Sequence, residues 1–175
     1  MKFGSRGLGA IIFIVVVLLM LMLEALPHLM AGGPRPELSE NMSFPEKNAI
    51  FGMQFMGIST FAKVWMAFQD IIIGAGLFFV LWRKEAQIYL STIIASHVLL
   101  FVAIAVLPGA KLTLGLASFS HWLWIPALFV FVKAWGGLDK KTGYGTWVTI
   151  AIAQIIFSLI FDIPDGARFL LSLFN

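Results

Sequence analysis

Long apolar runs separated by short polar segments dominate the chain. Five of these runs approach the roughly 20 residues that a helix needs to cross the hydrocarbon core of a membrane, and they span about 8–26, 61–82, 88–107, 114–132 and 144–161. Because lipid offers no hydrogen-bond partner to backbone groups, we expect each run to be helical. The pattern predicts an all-α bundle of five transmembrane helices that forms a single domain over residues 1–175.

The first run could instead be a secretory signal peptide, because Lys2 and Arg6 precede it. Its apolar core is near the long end for a signal peptide, and no small-residue cleavage site follows, so we interpret it as a retained helix. Four helices would remain if this run is peripheral or removed. The predicted non-membrane parts are an outer loop over 27–60 and an outer C-terminal tail over 162–175.

Composition supports a membrane location, and the distribution of charge adds an orientation. The chain is 60% hydrophobic and 12% charged, whereas an average soluble domain is about a quarter charged. Short cytoplasmic loops are rich in Lys and Arg, which places the N-terminus inside. The inner basic residues are then Lys2, Arg6, Arg83, Lys84, Lys133, Lys140 and Lys141. We expect a bacterial or archaeal cytoplasmic membrane.

Several classes of function have no support in the sequence. The chain contains no cysteine, which excludes disulfides, thiolate nucleophiles and Cys-ligated metals. It also lacks a glycine-rich phosphate loop, a nucleophile elbow and a metalloprotease helix. We therefore predict no catalytic residues and no nucleic-acid partner.

Polar residues at one depth of the predicted membrane form the main candidate site. Counted from the outer helix ends, Asp70, His97 and His121 lie about nine, ten and seven residues deep, which spreads them over only about 4–5 Å. Gln154 on the fifth helix falls at a similar level. Ionisable residues inside a membrane are costly, so each of them is a candidate for function.

This polar layer is compatible with several kinds of chemistry. Asp70, His97 and His121 could bind a transition metal, since two His and one carboxylate are a recurrent ligand set. The two His could also be axial ligands of haem b. The short loop between their helices predicts that these helices pack side by side, whereas ligands on opposite faces of a haem prefer helices that stand farther apart. A proton relay and a site for a quinone or another small molecule are further alternatives. The layer could also only join helices by hydrogen bonds to Ser96, Ser118 or Ser120.

Two weaker candidates lie on the predicted outer side. His28, Met53 and Met56, together with Met30 and Met42, could bind a soft metal such as Cu(I), because thioether sulfur suits that ion. Asp162 and Asp165, at the end of the fifth apolar run, are acidic enough to bind a cation, but two carboxylates at a helix end are more often only solvated, and we interpret them in that way.

The region from about 61 to 132 resembles the DoxX-like group of small four-helix membrane proteins. The resemblance depends on the segment from Asp70 to Phe79, which reads DIIIGAGLFF, followed by a basic turn at Arg83 and Lys84. It implies a helical membrane bundle and little about activity.

Two functions remain open from the sequence. The first is a small subunit that packs within a larger membrane complex and helps to assemble or stabilise it, with lipid and other membrane subunits as partners. The alternative is a protein that binds a cofactor or ligand, namely a metal, haem b, a quinone or protons, at the Asp70, His97 and His121 layer.

Overall fold

A computed structural model describes residues 42–174, and this part of the chain is all-helical. The helices are α1 (Phe44–Met56), α2 (Thr60–Leu77), α3 (Lys84–Val106), α4 (Leu114–Ser120), α5 (Ile125–Trp135) and α6 (Gly143–Leu173). Short 3₁₀ turns cover Gly109–Lys111 and His121–Trp124. The second turn joins α4 to α5, so that these two helices and the turn make one continuous segment. The all-α prediction is confirmed for the described residues.

Three of the helical segments are long and apolar enough to cross a membrane, as judged by length and composition. They are Lys84–Val106, Leu114–Trp135 and Gly143–Leu173. Helix α2 is shorter, carries Lys63 and Asp70, and continues as turns up to Trp82. The first predicted run, 8–26, lies outside the described residues. The apolar helices support the membrane prediction, and the orientation stays a prediction.

Helix α6 extends well beyond the predicted run of 144–161 and includes most of the predicted tail. Pro164 lies inside it, where proline removes one helical hydrogen bond. The residues that follow keep the chain helical, because Gly166 and Phe169 are buried against the rest of the bundle. Tertiary packing therefore outweighs the local preference for a helix end.

The main hydrophobic core joins α2, α3, α5 and α6. Its centre is an aromatic group in which Phe131 lies 5.4 Å from Tyr89 and 5.3 Å from Trp147, measured between ring centroids. Trp147 also donates a hydrogen bond from Nε1 to the carbonyl of Ile72 at 2.9 Å. It can approach α2 this closely because Gly76 has no side chain: a Cβ there would lie 2.8 Å from the indole ring.

A second apolar cluster closes one end of the bundle, which we call the α1 end. Helices α2 and α4 begin at this end, and α3 and α6 finish there. Phe51 of α1 packs against a cluster that includes Leu116 and Phe169. Two polar side chains of α1 hold it to the last turn of α3 and to the connection that follows: Lys47 Nζ donates to the carbonyl of Ala105 at 3.0 Å, and Gln54 Nε2 donates to that of Leu112 at 2.6 Å.

Helix α1 begins after a local cap. The backbone amide and the hydroxyl of Ser43 both donate to Glu46 Oε2, at 2.7 and 2.6 Å. These hydrogen bonds stabilise the carboxylate and lower the pKa of Glu46 from its ordinary value. The cap fixes the start of the helix that covers the candidate site.

Candidate ligand-binding site

A histidine–aspartate pair joins the middle of the α4–α5 segment to α6. His121 lies in the 3₁₀ turn, and its Nδ1 is 2.9 Å from Asp162 Oδ2. An ionised carboxylate only accepts hydrogen bonds, so the imidazole is the donor. The ring of His121 also stacks on Trp124, with 4.1 Å between centroids. Both members of the pair are mostly buried, with side chains 25% and 15% exposed.

The predicted polar residues Asp70, His97 and His121 line one small chamber. Its volume is about 80 Å³, and its walls come from α1, α2, α3 and the α4–α5 segment. The complete lining is Phe55, Met66, Gln69, Asp70, Ile73, Ser96, His97, Leu100, Ala117, Ser120, His121 and Trp124. The structure therefore brings together the three residues that the sequence places at one depth. We call this space the inner chamber.

Hydrogen bonds fix several polar side chains around the inner chamber. His97 Nδ1 donates to the carbonyl of Ile93 at 2.9 Å, because a carbonyl can only accept. Trp124 Nε1 donates to the hydroxyl of Ser96 at 3.2 Å. Asp70 is exposed, whereas His97 is half-buried, and neither side chain is without an interaction partner. A ligand in the chamber would therefore meet groups that are already oriented.

A larger cavity of about 330 Å³ adjoins the inner chamber toward the α1 end. We call it the outer cavity. Phe55, Met66, Gln69, Ala117 and His121 line both spaces, so these residues form the wall between them. The rest of its lining is Ile58, Phe61, Ala62, Trp65, Leu114, Ser118, Phe157, Ser158, Phe161, Asp162 and Asp165. The outer cavity is mostly apolar, and its volume is within the range typical of small-molecule sites.

Ser158 organises the wall of the outer cavity between α2 and α6. Its hydroxyl accepts one hydrogen bond from Gln69 Nε2 at 2.6 Å and one from Trp65 Nε1 at 3.3 Å. Gln69 and Ser158 are both buried. These bonds satisfy the polar groups of the wall and leave the aromatic face of Trp65 to line the cavity.

Gln154, the fourth predicted residue, does not line either space. It lies one turn before Ser158 on α6, where Tyr89 OH donates to its Oε1 at 3.1 Å. Its Nε2 is buried and has no hydrogen-bond partner among residues 42–174. The sequence predicts a similar depth for Gln154 and the other three residues, but Gln154 contacts Tyr89 of the aromatic core.

The metal and haem predictions receive no geometric support and stay predictions. Among residues 42–174, no three His, Asp or Glu side chains are grouped as they would be around a metal ion. For the soft-metal candidates, Met53 and Met56 fall on α1, and His28 lies outside the described residues.

The sequence interpretation missed Asp162, which we expected to be solvated but which is mostly buried; Asp165 is exposed, as expected. Both line the outer cavity, and Asp162 pairs with His121. Their spacing from Ser158, four and seven residues further on, was a usable signal, because such positions share one helical face.

Comparison of the chain with protein families, characterised proteins and solved structures finds no match. The resemblance to DoxX-like proteins therefore stays a prediction. Fold and site define the class only: over residues 42–174 the protein is all-helical, with apolar helices of membrane-spanning length and with a small space lined by Asp70, His97 and His121 next to a larger, mostly apolar cavity.

Proposed function

We propose that this protein binds a small amphiphilic molecule within the membrane. The apolar part of the ligand would occupy the outer cavity, and its polar part would reach the His121–Asp162 pair and the inner chamber. One observation carries the proposal: Asp70, His97 and His121, from three separate helical segments, line a chamber that shares a wall with an apolar cavity of ligand size. An amphiphile is the kind of molecule that such a pair of spaces fits.

The cavities support ligand binding more specifically than the outer surface supports assembly. Large apolar side chains are exposed along α2, including Phe61, Val64 and Ile71, but such side chains suit lipid as well as another subunit. The role as a subunit of a larger complex therefore stays a prediction. Contact with lipid explains an exposed apolar surface, but it does not explain why polar side chains line a space next to an apolar cavity.

Photolabelling in lipid nanodiscs tests the proposal. The probe is a twelve-carbon primary alcohol that carries a diazirine near the middle of its chain. We expect label on the three segments that line the outer cavity, 55–69, 114–121 and 157–165, and we expect excess unlabelled dodecanol to remove it.

Two substitutions of alanine by Phe on α2 distinguish label in the outer cavity from label on the lipid-facing surface. Ala62 lines the outer cavity, whereas Ala67 is exposed and lines neither space. Ala62→Phe should fill part of the cavity and reduce the label several-fold, and Ala67→Phe should leave it unchanged. Equal labelling of both variants, spread over the lipid-facing surfaces, would contradict the proposal.

A further inference from the structure

Among the described residues that line the two spaces, three are acidic and none is Lys or Arg, although the chain as a whole has a net charge of +3. Asp70, Asp162 and Asp165 contribute carboxylates, and His97 and His121 are the other titratable groups in the described lining. A charge in a site of low dielectric constant favours a ligand of opposite sign much more than it would in water. The lining therefore favours a cation.

The basic residues near the site do not line it. Arg168 pairs with Asp165 at 2.7 Å, and the two side chains are 77% and 52% exposed. Lys111 Nζ donates to the carbonyl of Ser172 at 2.6 Å, and Lys47 donates to that of Ala105. Lys63 at the start of α2 is exposed and lines neither space. Arg168 offsets Asp165, so the argument depends mainly on Asp162.

A connected group of aromatic rings lines the same cavity as Asp162. Phe157 lies 4.5 Å from Trp65, 5.2 Å from Phe161 and 6.4 Å from Phe61, measured between ring centroids. All four residues line the outer cavity. The faces of aromatic rings attract cations, ammonium groups in particular. Rings and carboxylate thus favour the same ligand charge.

An anionic ligand finds few donors in this cavity. The side-chain N–H groups of Trp65 and Gln69 both donate to Ser158, and that of His121 donates to Asp162. An anion would have to break these bonds and approach carboxylates that repel it. We infer that the ligand carries a positive charge, as a hydrophobic amine or quaternary ammonium, and that it places this charge between the aromatic rings and Asp162. This inference depends on the proposed function.

Competition among three amphiphiles with the same chain tests the sign of the charge. Dodecyltrimethylammonium, dodecanol and dodecyl sulfate compete with the diazirine alcohol at equal membrane concentration. We expect the ammonium to protect the cavity segments at about tenfold lower concentration than dodecanol, a factor in line with one cation–π contact. The sulfate should protect least.

A charge variant and a matched control test whether Asp162 causes the preference for the ammonium. Asp162→Asn should remove most of the preference for the ammonium. If this variant does not fold, Phe157→Leu, which removes the ring that contacts the other three, should reduce the preference. Asp139→Asn makes the same charge change in the exposed connection before α6, far from the cavity, and should have no effect.

The outcomes separate the two proposals. Equal protection by dodecanol and the ammonium, or stronger protection by the sulfate, would overturn the inference and leave ligand binding intact. Absence of label from the cavity segments in nanodiscs of both lipids, phosphatidylcholine and phosphatidylglycerol, would overturn the proposed function itself. Nanodiscs of phosphatidylcholine and of phosphatidylglycerol distinguish two sources of the ammonium: if a choline lipid headgroup is the ligand, phosphatidylcholine alone should block the label, whereas a free single-chain ammonium should compete in both.

Discussion

His121 and Asp162 are 41 residues apart in the sequence, and their hydrogen bond crosses from the α4–α5 segment to α6. A second contact supports the same crossing, because Trp122 Nε1 donates to the carbonyl of Asp162 at 3.2 Å. The side chain and the backbone of one residue on α6 are thus bound by consecutive residues of the 3₁₀ turn. His121 and Asp162 both line the outer cavity, so the contact that joins α6 to the α4–α5 segment also forms part of the cavity wall.

Replacing Asp162 with Ala should lower the free energy of unfolding by about 1–3 kcal/mol, because it leaves the mostly buried imidazole of His121 without its acceptor. Asp165→Ala is the matched control on the same helix. Its pair with Arg168 is exposed at 52% and 77%, and such surface pairs contribute about 0–1 kcal/mol. Thermal and denaturant unfolding in detergent measure both variants. Equal losses would show that the His121–Asp162 bond adds no stability beyond that of a surface pair.

Gly166 is expected to be intolerant of any side chain. A Cβ at this position would lie 2.8 Å from Trp122 Nε1 and 2.9 Å from the Cα of Phe119, so α6 and α4 would have to separate. Overpacking of this kind costs about 1–3 kcal/mol. Gly166→Ala should therefore lower the melting temperature of the purified protein.

Gly74 provides the control for Gly166, since it also lies inside a helix but a Cβ added there would have no neighbouring atom within 4 Å. Alanine in a helix interior is favoured over glycine by about 0.5–1 kcal/mol, so Gly74→Ala should raise the melting temperature or leave it unchanged. A melting temperature for Gly166→Ala at or above that of Gly74→Ala would contradict the close packing of α4 on α6.

The grouping of Asp70, His97 and His121 could be predicted from the sequence, whereas the helical face of each polar residue could not. Counting from the ends of the apolar runs placed these three residues at one level, and they line one space. Gln154 satisfied the same count but faces Tyr89, since the direction of a side chain depends on how α6 is rotated against α3. The contact between His121 and Asp162 could not be predicted either. The sequence indicated a helix end at Asp162, whereas α6 continues through Pro164 and keeps Asp162 inside the helix.

Tyr89 and Gln154 should behave as a coupled pair. Both are fully buried, and Tyr89 donates to Gln154 Oε1. Gln154→Leu leaves the tyrosine hydroxyl without an acceptor, and Tyr89→Phe leaves the glutamine amide without its donor. Each single variant should lose about 1–3 kcal/mol of stability. The double variant should be close to the parent, because replacing both polar partners with apolar groups removes the desolvation penalty. Strictly additive losses in a double-mutant cycle would contradict the coupling.

The orientation of the bundle can be measured with single cysteines, since the chain has none of its own. Ala110 follows α3 at the α1 end, and Gly136 follows α5 at the opposite end; both are exposed, and neither substitution changes the charge. The basic residues near Gly136, such as Lys133 and Lys140, predict that its end faces the cytoplasm. In intact cells, an impermeant maleimide should label Ala110→Cys at once and Gly136→Cys only after permeabilisation. The reverse pattern would overturn the orientation, and labelling of both in intact cells would show that the segment between them does not cross the membrane.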